Sequence, residues 1–330
     1  MTGPLRIDLH RHLEGSLRAS HLLQVLARSG RSPQRPAEFR AAITTDATID
    51  SLVAYLGRID TAAAVLTTAE DWMQAGLNAV EDACDDGLDY LELRYCPWFV
   101  TSHTGLSPRV VVDAVSEGVA RASRSVGLPV GLIAIILRDL GPDAARRQLD
   151  TVLDTRDVWC GVDLAGDEAG VPCREFAPVF RRARDAGLHI TVHAGEAAGP
   201  ASVADAVEHL GAERIGHGVR SVEDPRLLEQ LAERGTTMEV ALTSNTHTGA
   251  SAGFTTHQIH ALLAGGVAVT LNTDNPTTSG TRLSEEHRRA VNDAGLDPAT
   301  LERIARQAAV AAFTSSGRQF AVRPEGDDGE

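Results

Sequence analysis

The sequence predicts an α/β fold, a (β/α)8 TIM barrel with extra helices between strands 1 and 2. Eight short runs rich in leucine and β-branched residues recur along the chain, and amphipathic segments lie between most of them. Such a barrel takes about 250 residues before insertions, which a chain of 330 residues accommodates. An open doubly wound sheet would want a G-x-G-x-x-G turn after its first strand, and this chain has Asp8-Leu9-His10-Arg11-His12 there.

The strand candidates are mostly continuous apolar runs, as expected for strands that are covered on both faces. They are Leu5–Leu9, Leu88–Arg94, Val130–Leu137, Cys160–Leu164, His189–His193, Glu213–Ile215, Thr237–Leu242 and Val267–Asn272. Helices are predicted between them at Ser107–Val126, Glu175–Ala186, Ser202–Leu210, Asp224–Glu233 and Thr256–Ala264. The first of these begins with a Ser-Pro pair and is followed by Gly127, which are typical residues for the two ends of a helix.

Residues 14–87 separate the first two strands and leave room for two or three additional helices. We expect these at Leu22–Arg28, Asp50–Val65 and Ala69–Asp86. No internal repeat or linker divides the chain, so residues 1–317 are predicted to form one domain. Residues 318–330 end in a charged stretch and are expected to be a disordered acidic tail.

Composition excludes several classes of function. The formal net charge of −14 gives no general attraction to polymeric nucleic acid or to an anionic membrane. All 31 basic residues are arginine, which excludes a lysine Schiff base and a carbamylated lysine bridging two metals. The four cysteines contain no C-x-x-C pair, so a disulfide framework or a thiolate zinc site is not expected. Without a signal-peptide pattern or a membrane-length apolar stretch, the expected location is cytoplasmic.

Polar side chains cluster at the ends of six predicted strands, on the face where barrel enzymes carry their active sites. The clusters are His10–His12, Asp163–Glu168, His193–Glu196, Gly216–Gly218, Thr243–Asn245 and Asn272–Asn275. Because side chains alternate along a strand, His10 and His12 share one face. A third histidine and a carboxylate would complete a mononuclear zinc site with room for a water, and His193 and Asp274 are the candidates.

Two further side chains lie next to this predicted metal site. Glu196 follows His193 by three residues and could shuttle protons in a water-poor pocket. His217 stands between two glycines and is a candidate base or electrostatic partner for a water at the metal. The alternative interpretations are an exposed loop carboxylate for Glu196 and a packed structural histidine for His217.

Six motifs, taken in order, resemble the adenosine deaminase family of metal-dependent hydrolases. They are Asp8-Leu-His-Arg-His-Leu-Glu-Gly-Ser16, Asp163-Leu-Ala-Gly-Asp-Glu168, His193-Ala-Gly-Glu196, Arg214-Ile-Gly-His-Gly-Val219, Thr243-Ser-Asn245 and Asn272-Thr-Asp-Asn275. The resemblance extends from about residue 5 to about residue 316. It implies a barrel with one zinc ion per chain that replaces a purine 6-amino group by oxygen, most simply converting adenosine or deoxyadenosine to inosine and ammonia.

The resemblance also implies roles for individual residues. The implied zinc ligands are His10, His12, His193 and Asp274. The implied catalytic residues are Glu196, which would protonate purine N1, together with His217 and Asp274, which would serve the attacking hydroxide. The implied substrate contacts are Gly166 to the base, Asn275 to N7, and His12 and Glu14 near the ribose 5′ side. The helices between the first two strands would form a lid with Leu52, Tyr55, Leu56 and Ile59 on its apolar face.

Departures from the family pattern leave the substrate open. The family often has aspartate where Asn275 and Glu14 stand, and Cys-Pro where this chain has Ala241-Leu242. One alternative is therefore the same chemistry on adenine or on a 5′-modified adenosine. Another, from a different class, is a non-catalytic nucleoside-binding relative. No arginine cluster marks a site for a 5′-phosphate, so AMP is not the expected substrate, and the oligomeric state is not indicated.

Overall fold

A computed structural model describes residues 5–31, 35–49 and 52–322 of the chain. Eight strands pair in parallel, each with the next along the chain, in one sheet. The strands are β1 (Ile7–His12), β2 (Tyr90–Tyr95), β3 (Val130–Leu137), β4 (Gly161–Ala165), β5 (His189–Ala194), β6 (Arg214–His217), β7 (Thr237–Val240) and β8 (Ala268–Leu271). This arrangement confirms the predicted (β/α)8 barrel.

The barrel closes where β1 meets the segment that follows β8. The His12 amide donates to the Asp274 carbonyl, the Asp274 amide donates to the His10 carbonyl, and both distances are 2.8 Å. The Thr273 hydroxyl extends this seam by donating to a carboxylate oxygen of Asp8 at 2.5 Å. Asp274 adopts a left-handed backbone conformation with φ of 59°. Closure of the barrel therefore places Asp274 beside both histidines of β1.

Helices surround the barrel. They are α1 (Ala19–Arg28), α2 (Pro36–Ile43), α3 (Leu52–Ala63), α4 (Ala69–Asp85), α5 (Pro97–Thr104), α6 (Pro108–Val126), α7 (Gly141–Asp154), α8 (Ala177–Asp185), α9 (Pro200–Asp205), α10 (Pro225–Arg234), α11 (Leu242–His247), α12 (Ile259–Ala264), α13 (Leu283–Asn292), α14 (Pro298–Ala311) and α15 (Ser315–Arg318). None of the helices in the described part of the chain combines the length and hydropathy that a membrane span requires.

Four helices, α1 to α4, occupy the interval between the first two strands, where three were predicted. The additional helix, α2, buries only Ile43, so its sequence lacks an apolar stripe that could have identified it. The predicted helix Asp50–Val65 corresponds to α3, and its first two residues lie outside the described residues. At the other end of the chain, Gln319–Val322 form a 3-10 turn, which leaves residues 323–330 of the predicted tail outside the described residues.

Two strands extend at least two residues beyond the ends of their predicted runs. β1 continues to His12 and β6 continues to His217, because these histidines pair with residues of the neighbouring strands. Hydropathy alone does not detect such pairing by polar residues. β7, in contrast, ends at Val240, where Ala241 turns the chain into the short helix α11. The polar ends of the strands are therefore ordered parts of the barrel rather than loops.

The barrel interior contains a network of buried charges. Arg214 donates to Glu92 and contacts Glu239, with both N–O distances at 2.6 Å. Arg94 donates to Asp163 and to the other oxygen of Glu239, both at 2.9 Å. The side chains of all five residues are at most 1% exposed. This network lies directly beneath the polar strand ends.

Candidate active site

Four potential metal ligands converge at the C-terminal end of the barrel. One donor atom from each of His10, His12, His193 and Asp274 lies within 4.8 Å of all the others. The His12 Nε2 atom is 3.2 Å from Nε2 of His10, 3.2 Å from Nε2 of His193 and 3.2 Å from Asp274 Oδ1. Strands β1 and β5 and the turn after β8 thus bring together the four residues that the resemblance implied.

Buried carboxylates set the orientation of two of these imidazoles. His10 Nδ1 lies 2.8 Å from Glu239 Oε2, and His193 Nδ1 lies 2.9 Å from Asp163 Oδ2. Burial alone would raise the pKa of both carboxyl groups, but the adjacent arginines and histidines hold these pKa values below their usual range. Ionised carboxylates accept from Nδ1–H, so these contacts favour the tautomer of each ring with the proton on Nδ1 and a lone pair on Nε2.

The facing nitrogen atoms fit a bound cation. Burial holds the pKa of His12 well below its ordinary value, so this imidazole is neutral. The Nε2 atom of His12 lies 3.2 Å from Nε2 of both His10 and His193, and one proton on it could serve only one of these contacts, whereas a cation can accept lone pairs from all three nitrogens. Asp274 adds a negative oxygen, and its other oxygen accepts from the Ser244 hydroxyl at 2.5 Å. The donor set is therefore complete for a metal that prefers nitrogen and oxygen ligands.

Glu196 and His217 face each other beside this centre. Glu196 Oε2 is 3.4 Å from His217 Nε2, and Glu196 Oε1 accepts from the Thr248 hydroxyl at 2.9 Å. On the far side of the ring, the amide nitrogen of Asn245 lies 2.9 Å from His217 Nδ1. Because an amide nitrogen only donates, Nδ1 is the acceptor and the ring proton is on Nε2. His217 therefore presents a hydrogen-bond donor to the cavity.

The two glycines around His217 are required by close packing. A Cβ at Gly216 would lie 2.9 Å from His10 Cε1, and one at Gly218 would lie 2.2 Å from the sulfur of Met238. His217 itself adopts a left-handed conformation with φ of 65°. Together these features let the imidazole approach the metal ligands closely.

A cavity of about 260 Å³ opens above the centre. Its wall includes every residue to which the resemblance assigned a role except His10, which is fully buried below it. The residues of α3 that line the cavity are Leu52, Tyr55, Leu56, Ile59 and Asp60, so this helix covers the mouth as expected of a lid. Tyr55 is fixed there by a 2.7 Å hydrogen bond to Ser279.

Glu14, Gly166 and Asn275 line the same cavity. Burial raises the pKa of Glu14 to about 7, although the Cys96 amide donates to one of its oxygens at 2.8 Å. The other oxygen of Glu14 and the side-chain oxygen of Asn275 are buried and have no hydrogen-bond partner among the described residues. These two oxygens therefore retain unused capacity to accept hydrogen bonds.

Sequence reasoning missed several residues that shape the site. It assigned no role to Arg94, Glu239 or Thr248. A charged residue within an otherwise apolar strand, as at Glu239, could have indicated a role in the site. Its partners lie on four other strands, β1, β2, β5 and β6, so the local sequence does not identify them. Asp163, Ser244 and Asn245 lie within the motifs described above, but their contacts can be identified only from the folded structure.

Comparisons with known proteins agree with the geometry. The family model for adenosine deaminase matches residues 5–326. A protein of Edwardsiella ictaluri named adenosine deaminase is 39% identical over 319 residues, which is 96% of each chain. Among solved structures, an adenine deaminase from Arthrobacter aurescens has a TM-score of 0.90 at 26% identity and 97% coverage of both chains. The Arabidopsis ADAL protein complexed with GMP has a TM-score of 0.84 at 28% identity, covering 96% of this chain and 95% of that one.

These matches span nearly the whole length of the chain and of its relatives, and the family match begins at residue 5, two residues before β1. The chain belongs to the adenosine deaminase family.

Proposed function

We propose that this protein is a zinc-dependent hydrolase that converts adenosine, or deoxyadenosine, to inosine and ammonia. The observation that carries the proposal is the juxtaposition of three imidazoles and a carboxylate with Glu196 and His217 in one cavity. A nucleoside-binding relative without activity would have no need for a protonatable carboxyl beside a metal centre. The family membership supports the same reaction class.

We assign the metal to zinc, one ion per chain. His10, His12, His193 and Asp274 would hold it, since Zn²⁺ favours imidazole nitrogen and carboxylate oxygen. When bound, zinc supplies a Lewis acid that makes water a competent nucleophile near neutral pH. The second metal of a bridged pair has no lysine carbamate to hold it, because the chain contains no lysine.

The residues of the chain would move the protons of the reaction. Glu196 would give its proton to purine N1 while hydroxide from the water adds to C6. The Thr248 hydroxyl already donates to Oε1, which leaves Oε2 as the oxygen that carries the proton. His217, protonated on Nε2, would donate a hydrogen bond to the adding oxygen. The water would release one proton as it forms hydroxide, and this proton would pass to Glu196 as Glu196 gives its own proton to N1. When the C6 adduct collapses, its hydroxyl proton would move to the departing nitrogen, which leaves as ammonia.

Four residues would orient the substrate. The backbone of Gly166 would meet the base, and the Asn275 amide would donate to N7. The Glu14 carboxyl would meet the ribose 5′ hydroxyl with the oxygen that has no partner among the described residues. His12 would lie near the same end. The apolar face of α3 would exclude water from the reacting centre.

The charge of the cavity favours a neutral nucleoside over a nucleotide. Among the described residues that line it, six are acidic and none is arginine. The acidic residues are Glu14, Asp60, Asp139, Glu168, Glu196 and Asp274. No guanidinium among the described residues of this wall would pair with a phosphate dianion, so the affinity for a nucleotide should be lower by roughly 10²-fold or more.

Ammonia release from a panel of adenosine, deoxyadenosine, adenine and AMP tests the proposed function. Zinc-loaded protein should act on the two nucleosides with the highest kcat/KM and should act on AMP at least about 10²-fold less well. Adenine as the preferred substrate would instead indicate an adenine deaminase, like the Arthrobacter aurescens protein whose structure matches this chain with a TM-score of 0.90. No release from any member by zinc-loaded protein would refute the proposal.

The substitution Glu196→Gln should retain zinc but lower kcat by about 10²–10⁴-fold, the usual contribution of a general acid. The amide fits the same space and can still accept from Thr248, but it has no proton of the required acidity. Steady-state kinetics with metal analysis of both proteins provides the measurement. Turnover near that of the native protein would remove Glu196 from the proton-donor role.

The compound 7-deazaadenosine should be a poorer substrate than adenosine by roughly 10–150-fold in kcat/KM, because loss of N7 leaves the buried Asn275 amide unpaired at about 1–3 kcal/mol. Asn275→Ala should abolish most of this difference, since the penalised group is then absent. Competition between the two nucleosides for the native and variant proteins gives both ratios. Equal rates on the native protein would contradict the contact with N7.

A further inference from the structure

The carboxylate of Glu168 accepts hydrogen bonds from four consecutive backbone amides in the loop after β5. Its Oε1 accepts from Gly195 at 2.5 Å. Its Oε2 accepts from Glu196 at 3.1 Å, from Ala197 at 2.7 Å and from Ala198 at 3.0 Å. In residues 5–31, 35–49 and 52–322, no other acceptor is recorded for these four amides. Converging backbone N–H groups of this kind form an anion-binding concavity.

The loop backbone is shaped for this arrangement. Gly195 adopts a left-handed conformation with φ of 72°, which turns the chain sharply after β5. A Cβ there would lie 2.6 Å from Val203 Cγ2 and 3.2 Å from the Cα of Gly218, so no larger residue fits. The turn thus aims the amides of residues 195–198 at one point, and Glu168 occupies that point.

The negative charge of Glu168 is buried and has a positive counterpart. The residue is only 5% exposed. Burial lowers the pKa of Arg138, and the charge of Glu168 opposes that shift. Arg138 also donates to the backbone carbonyl of His193 at 2.6 Å. Both side chains therefore hold the end of β5 in place: Arg138 binds the carbonyl of His193, and Glu168 binds the amides of residues 195–198.

We propose that Glu168 is a positioning residue for Glu196. It fixes the backbone from which the Glu196 side chain projects, while Thr248 fixes the carboxyl group at the other end of that side chain. The inference rests on the proposed function, in which Glu196 donates the proton to the base. Without Glu168 the loop would lose its four amide contacts, and a displacement of about 1 Å at the proton donor can cost about 10²-fold in rate.

A purely structural role would have a different signature. A residue that only stabilises the fold would change the melting temperature without changing kcat in the folded fraction. A residue that binds the ribose would raise KM. A positioning role predicts a lower kcat with little change in KM, and recovery when another carboxylate fills the concavity.

The test compares Glu168→Ala with the native protein in adenosine deamination, with sodium formate added and with sodium chloride at equal ionic strength. We expect kcat to fall by about 10²-fold with KM changed less than about threefold, and formate but not chloride to restore at least about tenfold of the loss. Asp167→Asn is the matched control, since Asp167 is the exposed carboxylate next in sequence and accepts from Gly170 at 2.9 Å. Its kcat should stay within about twofold of native.

A second readout does not depend on activity. Hydrogen exchange followed by mass spectrometry should show faster exchange, by at least about tenfold, at residues 195–198 in Glu168→Ala, slowed again by formate. Should alanine prevent folding, Glu168→Gln preserves the shape and should show the same local increase. Unchanged exchange in this loop, or an undiminished kcat in folded variant, would overturn the proposal. Failure of the native protein to deaminate adenosine would instead count against the proposed function, and the exchange result would still decide whether Glu168 holds the loop.

Discussion

The candidate active site depends on one buried guanidinium, that of Arg94. It donates to Asp163 and Glu239, and these carboxylates in turn hold the Nδ1 atoms of His193 and His10. Arg94 therefore fixes two carboxylates, and these in turn fix the ring orientation and the position of the proton in His193 and His10, two predicted metal ligands. Removing one partner from such a buried network leaves an unpaired charge and costs about 3–5 kcal/mol. Well-packed apolar residues could stabilise a barrel equally well, so we attribute the retained charges to the orientation of the ligands.

The closed barrel supplies the second constraint. Parallel strands end on one face, so residues separated by more than 180 positions in sequence, such as His12 and His193, come within 3.2 Å. The seam between β1 and the turn after β8 adds Asp274 to the same group. The loop after β5 then places Glu196, and the last residue of β6 places His217, beside the candidate metal ligands, and α3 covers the cavity. The position of each residue that is proposed to act in the reaction therefore depends on where a strand of the barrel ends.

The sequence was sufficient to predict the barrel, because mostly continuous apolar runs mark the strands. Polar clusters at the strand ends, together with the family resemblance, indicated the residues that the structure brings together in the candidate site. It was insufficient for the residues that orient the site. Arg94 and Glu239 lie within strands, and their role depends on partners on other strands, such as Asp163, 69 positions from Arg94, and His10, 229 positions from Glu239, which no local pattern encodes. The role of Glu168 was equally hidden, because it depends on backbone amides of another loop. Helix α2 escaped prediction for a simpler reason, since it buries a single side chain.

The zinc affinities of the native protein and of Glu239→Gln test whether the buried carboxylates orient the metal ligands. We expect one zinc ion per native chain and an affinity about 10–100-fold weaker in the variant, because His10 loses the carboxylate that orients it. Glu213→Gln is the matched control, since Glu213 accepts from His189 in a comparable pair on the surface, and its zinc affinity should equal that of the native protein. A requirement for two metal ions per chain, or an undiminished zinc affinity in folded Glu239→Gln, would contradict these expectations.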